Sequence, residues 1–150
     1  METSFEKGFK IISPMPTSKT KISTGDSKED VYIRRAIIVE RLAPLIGKSV
    51  PCGAFHGKKV EFLFNSIDET AARAAQRYES TLAALRVVEA LKKSVLVKTD
   101  GPHSNKQKKM EFTKVHELSA ILKNIGEVKI IVGERRNKRI IHYCITKKKE

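Results

Sequence analysis

Tryptophan is absent from this 150-residue chain, and cysteine occurs only twice. The two cysteines, Cys52 and Cys144, stand far apart and in no C-x-x-C pair. That pattern excludes a disulfide scaffold and a zinc site built on paired thiols, and it suits two packed thiols in a reducing compartment. No apolar run approaches the ~20 residues of a membrane helix. Met1 to Lys10 lacks the basic-then-apolar order of a signal peptide. A cytoplasmic protein without membrane contact is therefore expected. A Walker loop, a dinucleotide glycine fingerprint, a nucleophile elbow and an H-E-x-x-H helix are all missing. The carboxylates are scattered, with no cluster suited to two-metal phosphoryl transfer, so neither metal nor cofactor is expected.

What the chain does have is positive charge, unevenly placed. Thirty Lys and Arg against 17 Asp and Glu give a net charge of +13. Met1 to Thr70 holds 11 basic and 9 acidic residues, whereas Ala71 to Glu150 holds 19 and 8. An excess lying almost wholly in the second half is the footprint of a polyanion-binding face, with RNA expected in preference to DNA. The competing readings are a solubilising surface and a face for an acidic protein partner. Forty per cent hydrophobic residues suffice for one core without metal or disulfide staples.

Residues 1–27 read as a flexible tail, rich in turn formers such as Ser13, Pro14, Pro16 and Gly25, although Phe5, Phe9, Ile11 and Ile12 offer docking groups. One α+β domain is expected over 28–147, with 148–150 a basic tail. Ser27 and Asp30 have capping-box spacing, and Val31, Ile38, Leu42 and Leu45 follow on one helical face until Pro44 and Gly47 stop it. A short edge strand is expected around Pro51. Val60, Phe62 and Phe64 alternate on a second strand. Ser66 and Glu69 suggest another capped helix running through Ile67, Ala71, Ala74, Tyr78, Leu82, Leu85 and Val88, weakest from Tyr78 to Thr81. From Ser94 the period becomes two, until Asp100-Gly101-Pro102. His103 to Lys109 reads as a basic loop. Glu111 to Ile125 fits either a helix or a strand with a turn at Asn124-Ile125-Gly126. Val128–Val132 and Arg139–Thr146 read as an antiparallel hairpin. The expected fold is α+β, with N-terminal helices packed on a mostly antiparallel sheet of about four to five strands.

Four histidines supply the acid–base candidates: His56, His103, His116 and His142. An imidazole titrates near neutrality, as RNA cleavage through the 2′-hydroxyl requires. Strict alternation along Arg139–Thr146 puts Ile140, His142, Cys144 and Thr146 on one face. If the other face meets the core, His142 and Thr146 stand together on the open sheet beside Arg135, Arg136, Lys138 and Arg139. The alternative is a structural histidine beside a packed cysteine. As a strand residue, His116 shares a face with Lys114; as a helical one it points to solvent. His56 suits a turn, and His103 a phosphate contact. The cations expected to follow a phosphate backbone are Lys106, Lys108, Lys109, Lys114, Arg135, Arg136, Lys138 and Arg139; Lys147-Lys148-Lys149 reads as a solvated tail. With only Phe112 and Tyr143 near them, no base-stacking platform is evident.

Leu45-Ile46-Gly47-Lys48-Ser49-Val50, Ser94-Val95-Leu96-Val97, Lys114-Val115-His116-Glu117-Leu118, Gly126-Glu127-Val128-Lys129-Ile130-Ile131-Val132 and Ile140-Ile141-His142-Tyr143 succeed one another from about Pro44 to Lys147. This succession resembles the barnase, EndoU, colicin and RelE-like nuclease domains found as modules of phage and mobile-element polyvalent proteins. The resemblance implies a helical part on an antiparallel sheet and metal-independent RNA cleavage, with His116, His142 and Thr146 at the strand-borne polar positions. On that reading His142 and His116 act as acid and base, Lys114 and Arg139 steady phosphate charge, and Thr146 bonds a phosphate oxygen. A non-catalytic RNA- or DNA-binding module with the same cations is the second hypothesis, and an accessory protein with an acidic partner is the third.

Overall fold

The computed structural model describes residues 21–148. The expectations for Phe5, Phe9, Ile11, Ile12 and Lys149 lie outside them. The described residues form an α+β fold in which five α-helices accompany a six-stranded sheet of order β1-β2-β6-β5-β4-β3. The strands are β1 (Ser49–Pro51), β2 (Lys59–Glu61), β3 (Val95–Asp100), β4 (Phe112–Leu122), β5 (Gly126–Arg135) and β6 (Ile140–Lys147). The helices are α1 (Lys28–Leu42), α2 (Phe64–Ala74), α3 (Tyr78–Ala84), α4 (Val87–Lys92) and α5 (Asn105–Lys109). The sheet thus exceeds the expected four to five strands and is mixed, because β2 runs parallel to β6. Among the described residues no helix is long and apolar enough to cross a membrane.

Local chemistry explains most boundaries. The Ser27 hydroxyl accepts from the Asp30 N–H while the Asp30 carboxylate accepts from the Ser27 N–H, a complete capping box. Pro44 ends α1 in a 3₁₀ turn, and Gly47 leaves it at φ +82. The second strand is shorter than alternation suggests: Phe62 is fully buried but Phe64 is 66% exposed at the start of α2. Ser66 does not cap from outside. It sits in the first turn, and its hydroxyl accepts from the Leu63 N–H. The long helix expected from Ser66 to Val88 breaks into α2, α3 and α4. The Ala75–Arg77 break is held by buried Arg34, whose Nε donates to the Ala75 carbonyl at 2.8 Å. Arg34 Nη1 donates to the carbonyls of Ser23 and Gly25, which docks this part of the expected tail. The basic stretch before β4 is partly helical, since the Ser104 hydroxyl caps α5 through the Gln107 N–H. Residues 112–122 take the strand alternative, and the turn after it passes through Asn124 at φ 69.

The helices cover one face of the sheet, where Val60, Phe62, Leu118, Ile130, Val132, Ile140 and Ile145 meet Ile38, Ile67, Ala71, Ala84 and Leu91. A smaller cluster of Met110, Phe112, Val115, Ile141, Tyr143 and Cys144 covers one end of the opposite face. Both cysteines are buried and unpaired with each other. Because β2 pairs with β6 only at Ile140 and Ile141, the rest of β6 has no strand on its outer side among the described residues. Helices α2 and α3 take that place. Thr70 Oγ1 donates to the Tyr143 carbonyl, and the Lys147 N–H donates to Ser80 Oγ at 3.0 Å. Arg77 donates to the Lys147 carbonyl. Buried edge groups are thereby satisfied by side chains instead of a neighbouring strand.

Arg34 contacts four main-chain carbonyls, those of Ser23, Gly25, Ala75 and Gln76. Arg34→Met removes these charge-assisted bonds and leaves the Ala75 carbonyl buried without its partner. Urea unfolding is expected to show a loss of about 3 kcal/mol or more.

Candidate nucleic-acid interface

The β5–β6 hairpin closes through a tight turn: the Lys138 N–H donates to the Arg135 carbonyl, the Arg135 N–H to the Arg139 carbonyl, and Lys138 adopts φ 73. The Asn137 side chain accepts from the Arg139 N–H and fixes the turn. Arg135, Arg136 and Arg139 then converge, with Glu111, Phe112, Thr113 and Asn137, on an open cavity of about 760 Å3. Arg135 Nε donates to the Met110 carbonyl at 2.9 Å, so the hairpin is tied to the end of α5, which carries Lys108 and Lys109. Arg139 donates to both oxygens of Glu61, at 2.9 and 2.5 Å. The hydrogen bond from Arg139 holds the Glu61 carboxyl below its ordinary range against some desolvation, with the charges of Arg139 and Arg135 adding to it. Among the described residues, the side chains of Lys108, Lys109, Arg136 and Lys138 are exposed and have no hydrogen-bond or ion-pair partner. A phosphate backbone would therefore meet them without breaking an internal hydrogen bond or ion pair.

Two of the eight expected cations lie apart from this group. Lys106 Nζ is 2.7 Å from Glu69 Oε1. Burial raises the Glu69 carboxyl, but the hydrogen bonds from Lys106 and Arg73 outweigh it and leave the group below its usual value. Lys114 stands opposite Glu134 on the helix-bearing face, away from the three arginines. Other late cations are interleaved with acids: Arg86 and Lys93 with Glu89, Lys98 with Asp100, and Lys148 with Glu127. The side chains of Lys92, Lys123 and Lys129 are likewise exposed and without an ion-pair partner among the described residues, so the hairpin end gathers one cluster of cations but not the whole charge excess of the second half.

The expected pairing of His142 with Thr146 fails. A bulge at Tyr143 sets Val132 opposite His142 but Ile131 opposite Cys144, so the alternation changes phase within β6. His142 joins Val132 on the helix-bearing face, and Thr146 lies opposite Lys129 on the other. His142 is completely buried, stacked on Phe62 with ring centroids 4.9 Å apart. Its Nε2 lies 2.9 Å from Thr70 Oγ1. The Thr70 hydroxyl thus lies between Nε2 and the Tyr143 carbonyl, while Nδ1 is buried with no hydrogen-bond partner among the described residues. Burial pushes the His142 pKa down to about 3. A neutral, enclosed imidazole of this kind exchanges no proton with a substrate near neutrality. His142 is accordingly withdrawn as the acid–base partner of His116, and Thr146 no longer shares a face with it.

His116 is placed differently. Its Nδ1 is 2.7 Å from Thr99 Oγ1 and its Nε2 is 2.9 Å from Glu134 Oε1. The Phe55 ring meets it edge-on at 5.1 Å. Gly53 permits this, since the turn carrying Phe55 passes so close to the carbonyls of Lys92 and Ser94 that a Cβ would collide with them. Burial raises the Glu134 carboxyl, but the hydrogen bond from His116 and the charges of His116, Lys114 and Lys138 leave it below its ordinary value. His56 occupies a left-handed turn position at φ 56, in keeping with a turn role, and exposed His103 lies 3.5 Å from Asp100.

Thr99, Glu134, Glu61 and Phe55 carry no mark in the linear sequence. Strand register alone brings Thr99 beside His116, and the β4–β5 pairing brings in Glu134. No protein-family model, curated protein or solved structure matches this chain.

Two measurements check this geometry. The unfolded chain protonates His142 below about 6.5, the folded chain only near 3, so protons favour unfolding as pH falls through that window. Between pH 7.5 and 4.5 this group is expected to cost roughly 2–3 kcal/mol of unfolding free energy, a slope that His142→Gln removes. The Phe112 ring lies directly over Gly133, where a Cβ would collide with it. Gly133→Ala is expected to destabilise the fold by about 1–3 kcal/mol and to perturb the Phe112 ring resonances.

Proposed function

We propose that this chain is a nucleic-acid-binding module, taking RNA in preference to DNA, that holds phosphates at the hairpin end of its sheet. The observation that carries this reading is the convergence of Arg135, Arg136 and Arg139 on one open cavity, flanked by Lys138 and tied through Met110 to the α5 lysines. Guanidinium groups present paired donors that match phosphate oxygens, and Thr113 and Asn137 add polar groups to the lining. The exposed Arg139–Glu61 pair is a weak obstacle, since surface ion pairs contribute little. Phe112 is buried under this cavity and offers no stacking face, so phosphate contacts dominate and sequence preference is slight.

Metal-independent RNA cleavage is the second reading, favoured by the hydrogen-bonded His116–Glu134 pair. Of the three positions carried over from the barnase- and RelE-like nuclease domains of phage and mobile elements, only His116 has a strong acid–base partner. It also lies across the sheet from the arginines, on the face that Lys114 shares. Binding without cleavage therefore ranks first.

Titrating labelled single-stranded RNA and duplex DNA between about 50 and 200 mM salt tests both readings. Arg136→Gln is expected to weaken RNA binding about tenfold and to lower the salt slope by about 0.7. Arg139→Gln costs less, because Glu61 already engages that side chain. Binding that ignores salt and survives both substitutions removes the phosphate-grip reading, and equal competition by an acidic polypeptide would favour a protein partner. RNA cleavage in EDTA that disappears in His116→Ala establishes the second reading.

A further inference from the structure

We propose that Thr99 is a nucleophile, and that Thr99, His116 and Glu134 form an acyl-transfer centre acting on carboxylic esters. The three residues come from adjacent strands β3, β4 and β5 and make one continuous chain, hydroxyl to imidazole to carboxylate, with links of 2.7 and 2.9 Å. The chain has a direction. An ionised Glu134 only accepts, so it holds the imidazole proton on Nε2. With the ring neutral, Nδ1 is left as an acceptor and the Thr99 hydroxyl donates to it. This is the arrangement that activates a hydroxyl: a base within hydrogen-bond reach, itself oriented by a third group. His116 is 6% exposed and held by Phe55, so the ring is fixed, whereas Thr99 is exposed.

The location favours a substrate. Among the described residues strand β3 is the sheet's last strand, with no strand paired on its outer side, so N–H groups of β3 are left free of a strand partner beside Thr99. Such donors suit the negative charge that develops on a carbonyl oxygen. Leu96, which pairs with Leu118 on the face that His116 shares, is 47% exposed and offers an apolar rest for the acyl chain.

The reaction closes without a cofactor. Thr99 Oγ1 attacks the ester carbonyl carbon as its proton passes to His116 Nδ1, and Glu134 balances the resulting imidazolium. The tetrahedral adduct expels the alcohol, which takes that proton, and leaves an acyl-threonine. Water then gives a proton to Nδ1, attacks the acyl carbon and releases the acid as the proton returns to Thr99. Thr99 and His116 are the reacting groups, while Glu134 is a positioning residue.

The test uses the whole chain with an alkyl fluorophosphonate probe and with p-nitrophenyl acetate, followed by peptide mapping. One equivalent of adduct on Thr99 and an initial burst of nitrophenol are expected. Thr99→Ser retains labelling, whereas Thr99→Val and His116→Gln lower its rate about a hundredfold or more, with melting temperatures recorded beside each. Glu134→Gln lowers the rate and shifts the midpoint of its pH profile, because an amide can donate to Nε2 and reverse the direction of the chain. A purely structural network would leave that profile unmoved. Absence of a Thr99 adduct in the folded protein, or equal labelling of folded Thr99→Val, overturns the proposal. The proposal does not rest on the nucleic-acid-binding reading, and RNA affinity is expected to be unchanged in Thr99→Ser and Thr99→Val.

Discussion

The arrangement of this protein depends on how the outer side of β6 is completed. Only Ile140 and Ile141 find a strand partner there, in β2, and from His142 onward the strand would present bare amides and carbonyls to the interior. Thr70, Arg77 and Ser80 supply what a seventh strand would have supplied. Helices α2 and α3 must therefore lie against that edge, with the break between them facing Arg34. Broken helices that look like a weakness in the sequence are thus the form that lets side chains reach the strand.

The same edge decides the fate of the most conspicuous histidine. Thr70 reaches both the Tyr143 carbonyl and His142 Nε2, and the bulge at Tyr143 turns His142 inward against Phe62. Beyond the bulge the phase is reversed, so Thr146 looks out on the other face beside Lys129. One extra residue in one strand separates two groups that simple alternation joins.

The sheet consequently divides its polar chemistry between two sides. Arginines gather where the hairpin turn meets the end of α5, on the side where Phe112 lies over Gly133. Glu134, one residue earlier than Arg135, points the other way and receives His116. Adjacent residues on a strand serve opposite faces, so a single short segment contributes to both an anion-attracting surface and a chain of hydroxyl, imidazole and carboxylate. Several cations elsewhere are paired with Glu89, Asp100 and Glu127, whereas Lys108, Lys109, Arg136 and Lys138 beside the hairpin turn are not.

Much of the framework was legible in the residues. The Ser27–Asp30 cap, the stop at Pro44 and Gly47, the edge position of Pro51 and the final hairpin all follow from local sterics and hydrogen bonding, which need no distant partner. So does the basic bias of the second half, since charge is counted along the chain. Residues 112–122 were undecidable locally because their apolar spacing serves both periods, and pairing with β3 and β5 along their length chose the strand. The bulge at Tyr143, the burial of His142 and the meeting of Thr99, His116 and Glu134 arise from register between segments far apart in sequence, and register is a property of the assembled sheet. Composition and local pattern thus dictated an α+β chain with a cationic late half. Which imidazole lies in the core and which meets a hydroxyl and a carboxylate was decided by strand pairing, because side-chain direction there depends on neighbours that the linear order does not reveal.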